Sequence, residues 1–232
     1  MGQHSARQKR QPGQTTRRAP TREQYDKVLI VCEGKKTEPN YFLGLRNWHK
    51  ISSVNVTVSG DCGSAPTSVV QHGIDLYRAA QGQGEPYDRV YCVFDRDSYH
   101  LPSQNKVYQQ ALDQIQRAMP TSVFFAANSV PSFEYWLLLH FCETRQTFVA
   151  QGKASVGDMV EKELRKYWIG YEKAMPKSYD QLKKLAPQGA AQALIRAARG
   201  LNAAQAVGDD NPSTKVHELV GYLIKIKDLK NS

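Results

Sequence analysis

The sequence predicts an α/β fold: a central, mostly parallel four-stranded sheet flanked by helices, followed by a helical C-terminal portion. Three observations carry this. The run Asp26-Lys27-Val28-Leu29-Ile30-Val31-Cys32-Glu33-Gly34 is short, apolar and ends in a carboxylate and a glycine. Runs of this kind form parallel strands buried on both faces. A second run, Arg89-Val90-Tyr91-Cys92-Val93-Phe94, does the same and ends in Asp95-Arg96-Asp97. Between and after them, strand-like and helix-like segments alternate until about residue 142, and only helical patterns follow.

The elements follow in order. Residues 1–24 are rich in Gln, Arg, Thr, Gly and Pro and have almost no large apolar side chains, which predicts a disordered basic tail. After strand 25–33, Thr37 is placed to cap a helix with Glu38 and Pro39 in its first turn, and Tyr41, Phe42, Leu45 and Trp48 recur at helical spacing. Val54, Val56 and Val58 alternate as in a strand. Gly60, Gly63 and Pro66 make a loop before a helix over about 66–81, with Val69, Val70, Ile74 and Tyr77 on one side. A turn at Gln81-Gly82-Gln83-Gly84 leads to strand 88–95. Helix 104–118 and strand 121–127 come next. The stretch Pro131–Phe141 is apolar almost all round, the mark of a buried helix. Helices are expected near 155–170, 178–200 and 212–229, the last capped by Asn211 with Pro212 in its first turn. The organisation is thus a tail (1–24), an α/β core (25–142) and a helical extension packed on it (143–232).

Bulk properties narrow the function. The net charge is +9, of which the tail carries +5 and the rest +4, a balance that favours polyanions such as nucleic acid as partners. A merely solubilising tail is the alternative. No apolar run approaches membrane-spanning length, and the basic N-terminus lacks the apolar segment of a secretory signal. Cys32, Cys62, Cys92 and Cys142 show no paired spacing, and three lie in apolar runs. Reduced core thiols in a cytoplasmic protein are expected.

The chemistry gathers at one sheet edge. In open α/β sheets, ligands sit at the C-terminal ends of the strands. Two strands here deliver acids to that edge. Asp95 and Asp97, at i and i+2 on an extended chain, point to the same side. Glu33 reaches them if its strand is adjacent, since neighbouring strands lie roughly 4.8 Å apart. Three close carboxylates call for a cation, and Mg²⁺ (or Mn²⁺) prefers such oxygen ligands while keeping water and phosphate oxygens. A site of this kind serves in-line attack on a phosphodiester. Glu33 would be a ligand or the general acid/base. Glu134 is the single acid on the apolar 131–141 stretch, in its first turn, where the helix dipole favours a carboxylate. It is a candidate further ligand or supporting group, the alternative being a simple dipole partner. Lys35 and Lys36 follow Glu33-Gly34 and are candidate phosphate contacts, or else a solvated pair. Arg96 should point away from its neighbours into an ion pair. His140 is expected to be a hydrogen-bonded core histidine, and His217 has no physical lead.

The acids at two strand ends resemble those of a Toprim domain. More specifically, Val-Cys-Glu-Gly-Lys-Lys-Thr-Glu-Pro-Asn-Tyr-Phe (31–42), Val-Phe-Asp-Arg-Asp (93–97), Ser-Phe-Glu-Tyr-Trp-Leu-Leu-Leu-His-Phe (132–141) and Asn-Pro-Ser-Thr-Lys-Val-His-Glu-Leu-Val (211–220) resemble the RloB-like family. The chain departs from the family pattern at Val130, where Asn is usual. The resemblance implies a Toprim-like, Rossmannoid core with Glu33, Asp95 and Asp97 as its acids. It further implies a Mg²⁺-dependent nuclease of bacterial anti-phage and restriction loci, working beside an RloA-like ATPase. A non-catalytic Toprim-fold subunit docking on such an ATPase is the rival. Phosphatase-like chemistry at Asp95 lacks the sequence expected after it, and strand-passage topoisomerase activity would need far more chain.

Overall fold

The computed structural model describes residues 26–53, 56–60, 62–63, 65–96 and 102–229. Four parallel strands form one sheet: β1 (Val28–Cys32), β2 (Val56–Ser59), β3 (Arg89–Val93) and β4 (Phe124–Ala126), in the order β2-β1-β3-β4. The predicted α/β class with a four-stranded parallel sheet is what the chain adopts. Every residue of β1 has 0 % exposure, which is why its sequence shows no apolar/polar alternation.

The alternation is instead between two cores. Val28, Ile30 and Cys32 of β1, with Tyr91 and Val93 of β3, face one layer. That layer is built by α1 (Thr37–Trp48), α4 (Phe133–Leu138), α5 (Val156–Leu164), α6 (Ser178–Leu185), α7 (Gly189–Val207) and α8 (Val216–Leu229). Leu29, Val31, Val90, Cys92 and Phe94 face the other, built by α2 (Pro66–Gly82) and α3 (Pro102–Arg117). Each buried aliphatic side chain contributes roughly 1.5–3 kcal/mol. The larger core draws on both the 25–142 and 143–232 regions, so the helical extension is built into the same hydrophobic mass.

Several elements differ from expectation. The predicted helix 178–200 is two helices, broken at Pro187, whose ring cannot continue the hydrogen-bond ladder. Gly189 then starts α7 where a Cβ would lie 3.0 Å from the His140 carbonyl oxygen. The predicted helix 155–170 ends at Leu164, and the chain turns so that Trp168 and Tyr171 enter the core. Asn211 does not cap α8. Its side-chain amide holds the Phe148 backbone, donating to O at 2.8 Å and accepting from N at 3.4 Å. Residues Ser213–Thr214 form a short strand, β6, antiparallel to β5 (Ser129–Val130), and α8 starts only at Val216. There the Val216 amide donates to Thr214 Oγ1 at 3.2 Å. Val130, the position departing from the family pattern, is fully buried apolar core. The predicted tail 1–24 and Val54 lie outside the described residues.

His140 is the core histidine expected: its Nδ1 lies 3.0 Å from the Trp136 carbonyl oxygen, and the residue is 4 % exposed. Burial pulls its pKa down to about 4. The unfolded chain therefore takes up a proton between about pH 6.5 and 4 that the folded chain refuses. This contribution is complete above the unfolded pKa and is lost as pH falls through the folded one, amounting to about 3 kcal/mol. Urea titrations of wild type and His140→Gln from pH 7 to 4 should show the wild type losing stability more steeply. Parallel curves would refute this. The four cysteines are thiols, and that of Cys62 donates to the Cys32 carbonyl oxygen at 2.9 Å. Burial pushes Cys92 up to about 12 and Cys32 upward too, which keeps both protonated. Among the described residues, no helix is long and apolar enough to cross a membrane.

Candidate active site

The acid edge is assembled by strand pairing. Because β1 and β3 are parallel neighbours, with Cys32 opposite Val93, the residues that follow them emerge side by side. The Glu33 amide donates to the Val93 carbonyl at 3.0 Å, which carries the pairing one residue past β1. The Glu33 carboxylate then turns across and accepts, through Oε2, from the Asp95 amide at 3.0 Å. Asp95 Oδ2 in turn accepts from the Phe133 amide at 2.9 Å, at the start of α4. Asp95 also bridges to Ser129, so the chain after β4 flanks it. Both acids thus have their orientation set by main-chain donors.

Two further carboxylates reach the same cleft. Glu134, one residue beyond Phe133, is 3 % exposed. Its Oε2 accepts from the Ser132 hydroxyl at 2.8 Å and its Oε1 from the Tyr171 hydroxyl at 3.2 Å. Lys173 Nζ stands 3.9 Å from Oε1. Glu38, in the first turn of α1, is 8 % exposed. A Cβ at Gly34 would press on its Oε2 at 2.7 Å, so glycine at 34 lets the carboxylate lie against the main chain. Gly60, after β2, approaches closely as well: a Cβ there would meet the Gly34 carbonyl oxygen at 2.6 Å. The Glu33-Gly34 turn is therefore seated on the end of β2.

These groups line an open cleft of about 410 Å³. Its acidic part is Glu33, Glu38, Asp95 and Glu134, its basic part Lys35, Lys36 and Lys173, and Gly34 and Thr37 complete it. Lys35 and Lys36 are exposed at its lining. Thr37 does not cap α1. Its Oγ1 accepts from the Ala174 amide at 3.0 Å and ties a distant loop to the cleft. Asp97 lies outside the described residues. Among the described residues, no three His, Cys, Asp or Glu side chains gather closely enough to hold a metal. The donor chemistry nonetheless suits Mg²⁺ or Mn²⁺: every candidate is a carboxylate oxygen, and Glu33 and Asp95 line the same cleft.

Other candidates fall elsewhere. Arg96 turns away from the acids, as expected, pairing with Asp210 and stacking 5.2 Å over the Tyr108 ring. His140 and His217 do not line the cleft. His217 Nδ1 lies 2.9 Å from the Thr214 carbonyl oxygen, and burial lowers its pKa. Glu38, Tyr171 and Lys173 were not singled out from the sequence. Glu38 stands five residues after Glu33, in the first turn of α1, a signal that was legible. Tyr171 and Lys173 sit in a turn between α5 and α6 with no local marker.

Residues 28–223, almost all of the described chain, match the family described as RloB-like protein. The chain belongs to the RloB-like family. No curated protein and no solved structure matches it. The four blocks that resemble the family lie within this span. They supply the ends of β1 and β3, helix α4 with Glu134, and the β6–α8 junction.

Proposed function

We propose that this RloB-like chain is a Mg²⁺- or Mn²⁺-dependent nuclease of Toprim type. It would hydrolyse phosphodiester bonds of DNA or RNA in anti-phage defence, together with an RloA-like ATPase. The observation that carries the reading is the hydrogen bond from the Asp95 amide to the Glu33 carboxylate, which seats two strand-end acids in one cleft. Glu33, Asp95 and, by the family resemblance, Asp97 would hold the metal, with Glu134 as a further ligand or support. A bound divalent ion would supply a water of lowered pKa and neutralise charge on the phosphate. Glu33, whose Oε2 is fixed by the Asp95 amide, takes up the proton of the attacking water. Glu134 is held from both sides by Ser132 and Tyr171 and so presents a fixed negative charge at the cleft wall. Lys35 and Lys36 draw the phosphate backbone toward the acids.

The test is incubation of the full chain, alone and with the ATPase, with labelled DNA and RNA in Mg²⁺, Mn²⁺ or EDTA. Cleavage that needs the metal is expected. A second reading is a Toprim-fold subunit that binds the ATPase without catalysis. Co-purification with the ATPase and no cleavage in any mixture would select it.

A further inference from the structure

The cleft has a cation that comes from far along the chain. Lys35 and Lys36 are on the turn between β1 and α1, whereas Lys173 is on the loop between α5 and α6. That loop is fixed at several points. On one side of Lys173, the Tyr171 hydroxyl donates to Glu134 Oε1 at 3.2 Å. On the other, the Ala174 amide donates to Thr37 Oγ1 at 3.0 Å. Asn40 Nδ2 donates to the carbonyls of Ala174 and Met175 at 3.2 and 3.1 Å. Ala174 itself has φ of 66°, a left-handed conformation that residues with a Cβ rarely adopt. The turn is kept in this strained form, and it delivers position 173 to the cleft.

The ammonium lies 3.9 Å from Glu134 and 4.0 Å from Glu161, within ion-pair reach of two carboxylates. Its side chain is 48 % exposed. A cation so placed is anchored by its backbone and lines the cleft together with Lys35 and Lys36. It stands where an entering phosphodiester would meet the acids.

We propose that Lys173 is a substrate-binding residue: with Lys35 and Lys36 it completes a three-lysine rim that holds the phosphate backbone of nucleic acid at the acid cleft. The inference rests on the nuclease reading and adds the part played in it by the helical extension. Contacts to the backbone carry no base preference, so the rim binds sequence-independently and salt-sensitively.

The experiment is a salt series of fluorescence anisotropy titrations in EDTA, using the full chain and fluorescein-labelled single strands and duplexes of DNA and RNA. Wild type is compared with Lys173→Gln, Lys173→Arg and, as an exposed control outside the cleft, Lys184→Gln. Melting temperatures are read on the same samples. For Lys173→Gln, the slope of log K against log salt should fall by about 0.7–0.9, the value of one phosphate contact. Lys173→Arg should keep the slope, and Lys184→Gln should leave it unchanged. An unchanged slope in Lys173→Gln, with or without a lower melting temperature, makes Lys173 a counter-ion of Glu134 and overturns the rim. A wild-type chain that binds no polynucleotide overturns it too. Metal-dependent cleavage is measured separately. A chain that binds through Lys173 but never cleaves defeats the nuclease reading alone, and one that cleaves with an unaltered Lys173→Gln slope defeats the rim alone.

Discussion

Asp95→Asn is expected to lower the proposed metal-dependent cleavage by on the order of 10³-fold and to leave the chain folded. The side chain has two separable tasks. One oxygen accepts from the Phe133 amide, and an asparagine carbonyl does the same at equal size. The amide nitrogen removes the negative charge, one of the four that would attract a divalent ion in the cleft it shares with Glu33, Glu38 and Glu134. Two unit charges about 4 Å apart at an effective dielectric near 20 interact by about 4 kcal/mol, so one lost charge suffices for a loss of that order. The check is single-turnover cleavage in Mn²⁺ beside thermal unfolding of both proteins. Cleavage within tenfold of wild type, at an unchanged melting temperature, would remove Asp95 from the chemistry.

Trp136→Ala should cost about 3–5 kcal/mol of stability, the loss expected for deleting a fully buried large side chain. Trp136 has 0 % exposure on a helix whose six residues are all buried. Its ring meets His140 edge-on at 4.9 Å and Tyr41 at 6.4 Å. Domains of this size have only about 5–15 kcal/mol in hand, so the variant keeps a small margin at best. The same helix supplies the Phe133 amide to Asp95 and carries Glu134. A cavity beneath it therefore loosens two acids of the cleft. Trp48, 49 % exposed on α1, is the control, and Trp48→Ala should cost roughly 1 kcal/mol or less. Urea unfolding measures both, and a loss below about 1 kcal/mol for Trp136→Ala would mean the layer re-closes over the gap.

Much of the cleft was legible in the sequence. The strands ending at Cys32 and Val93 are apolar runs without alternation, and each is followed by an acid. Such a pattern is local, so it survives without knowledge of neighbours. The buried helix with Glu134 was legible for the same reason. What misled were residues with side chains able to satisfy more than one partner. Thr37 and Asn211 carry good helix-cap chemistry, yet the fold spends the hydroxyl on Ala174 and the amide on Phe148. A capping side chain bonds whichever backbone group burial brings nearest, and that is not a local property. Strands of two residues, β5 and β6, are too short to show any period. The break between α6 and α7 did carry a local signal in Pro187 and Gly189, outweighed by the helical spacing on either side.

By itself the sequence determined which segments become strands and helices and which acids stand at strand ends, because apolar run length and periodicity act over a few residues. Only the tertiary structure decided who meets whom. The order β2-β1-β3-β4 makes β1 and β3 neighbours and so brings Glu33 to the Asp95 amide. Burial of Trp168 and Tyr171 pulls the α5–α6 loop onto the core and sets Lys173 beside Glu134. Those encounters follow from covering both faces of a sheet at once. That requirement joins residues 62 positions apart in the first case and 39 in the second, and leaves no mark in any short stretch of chain.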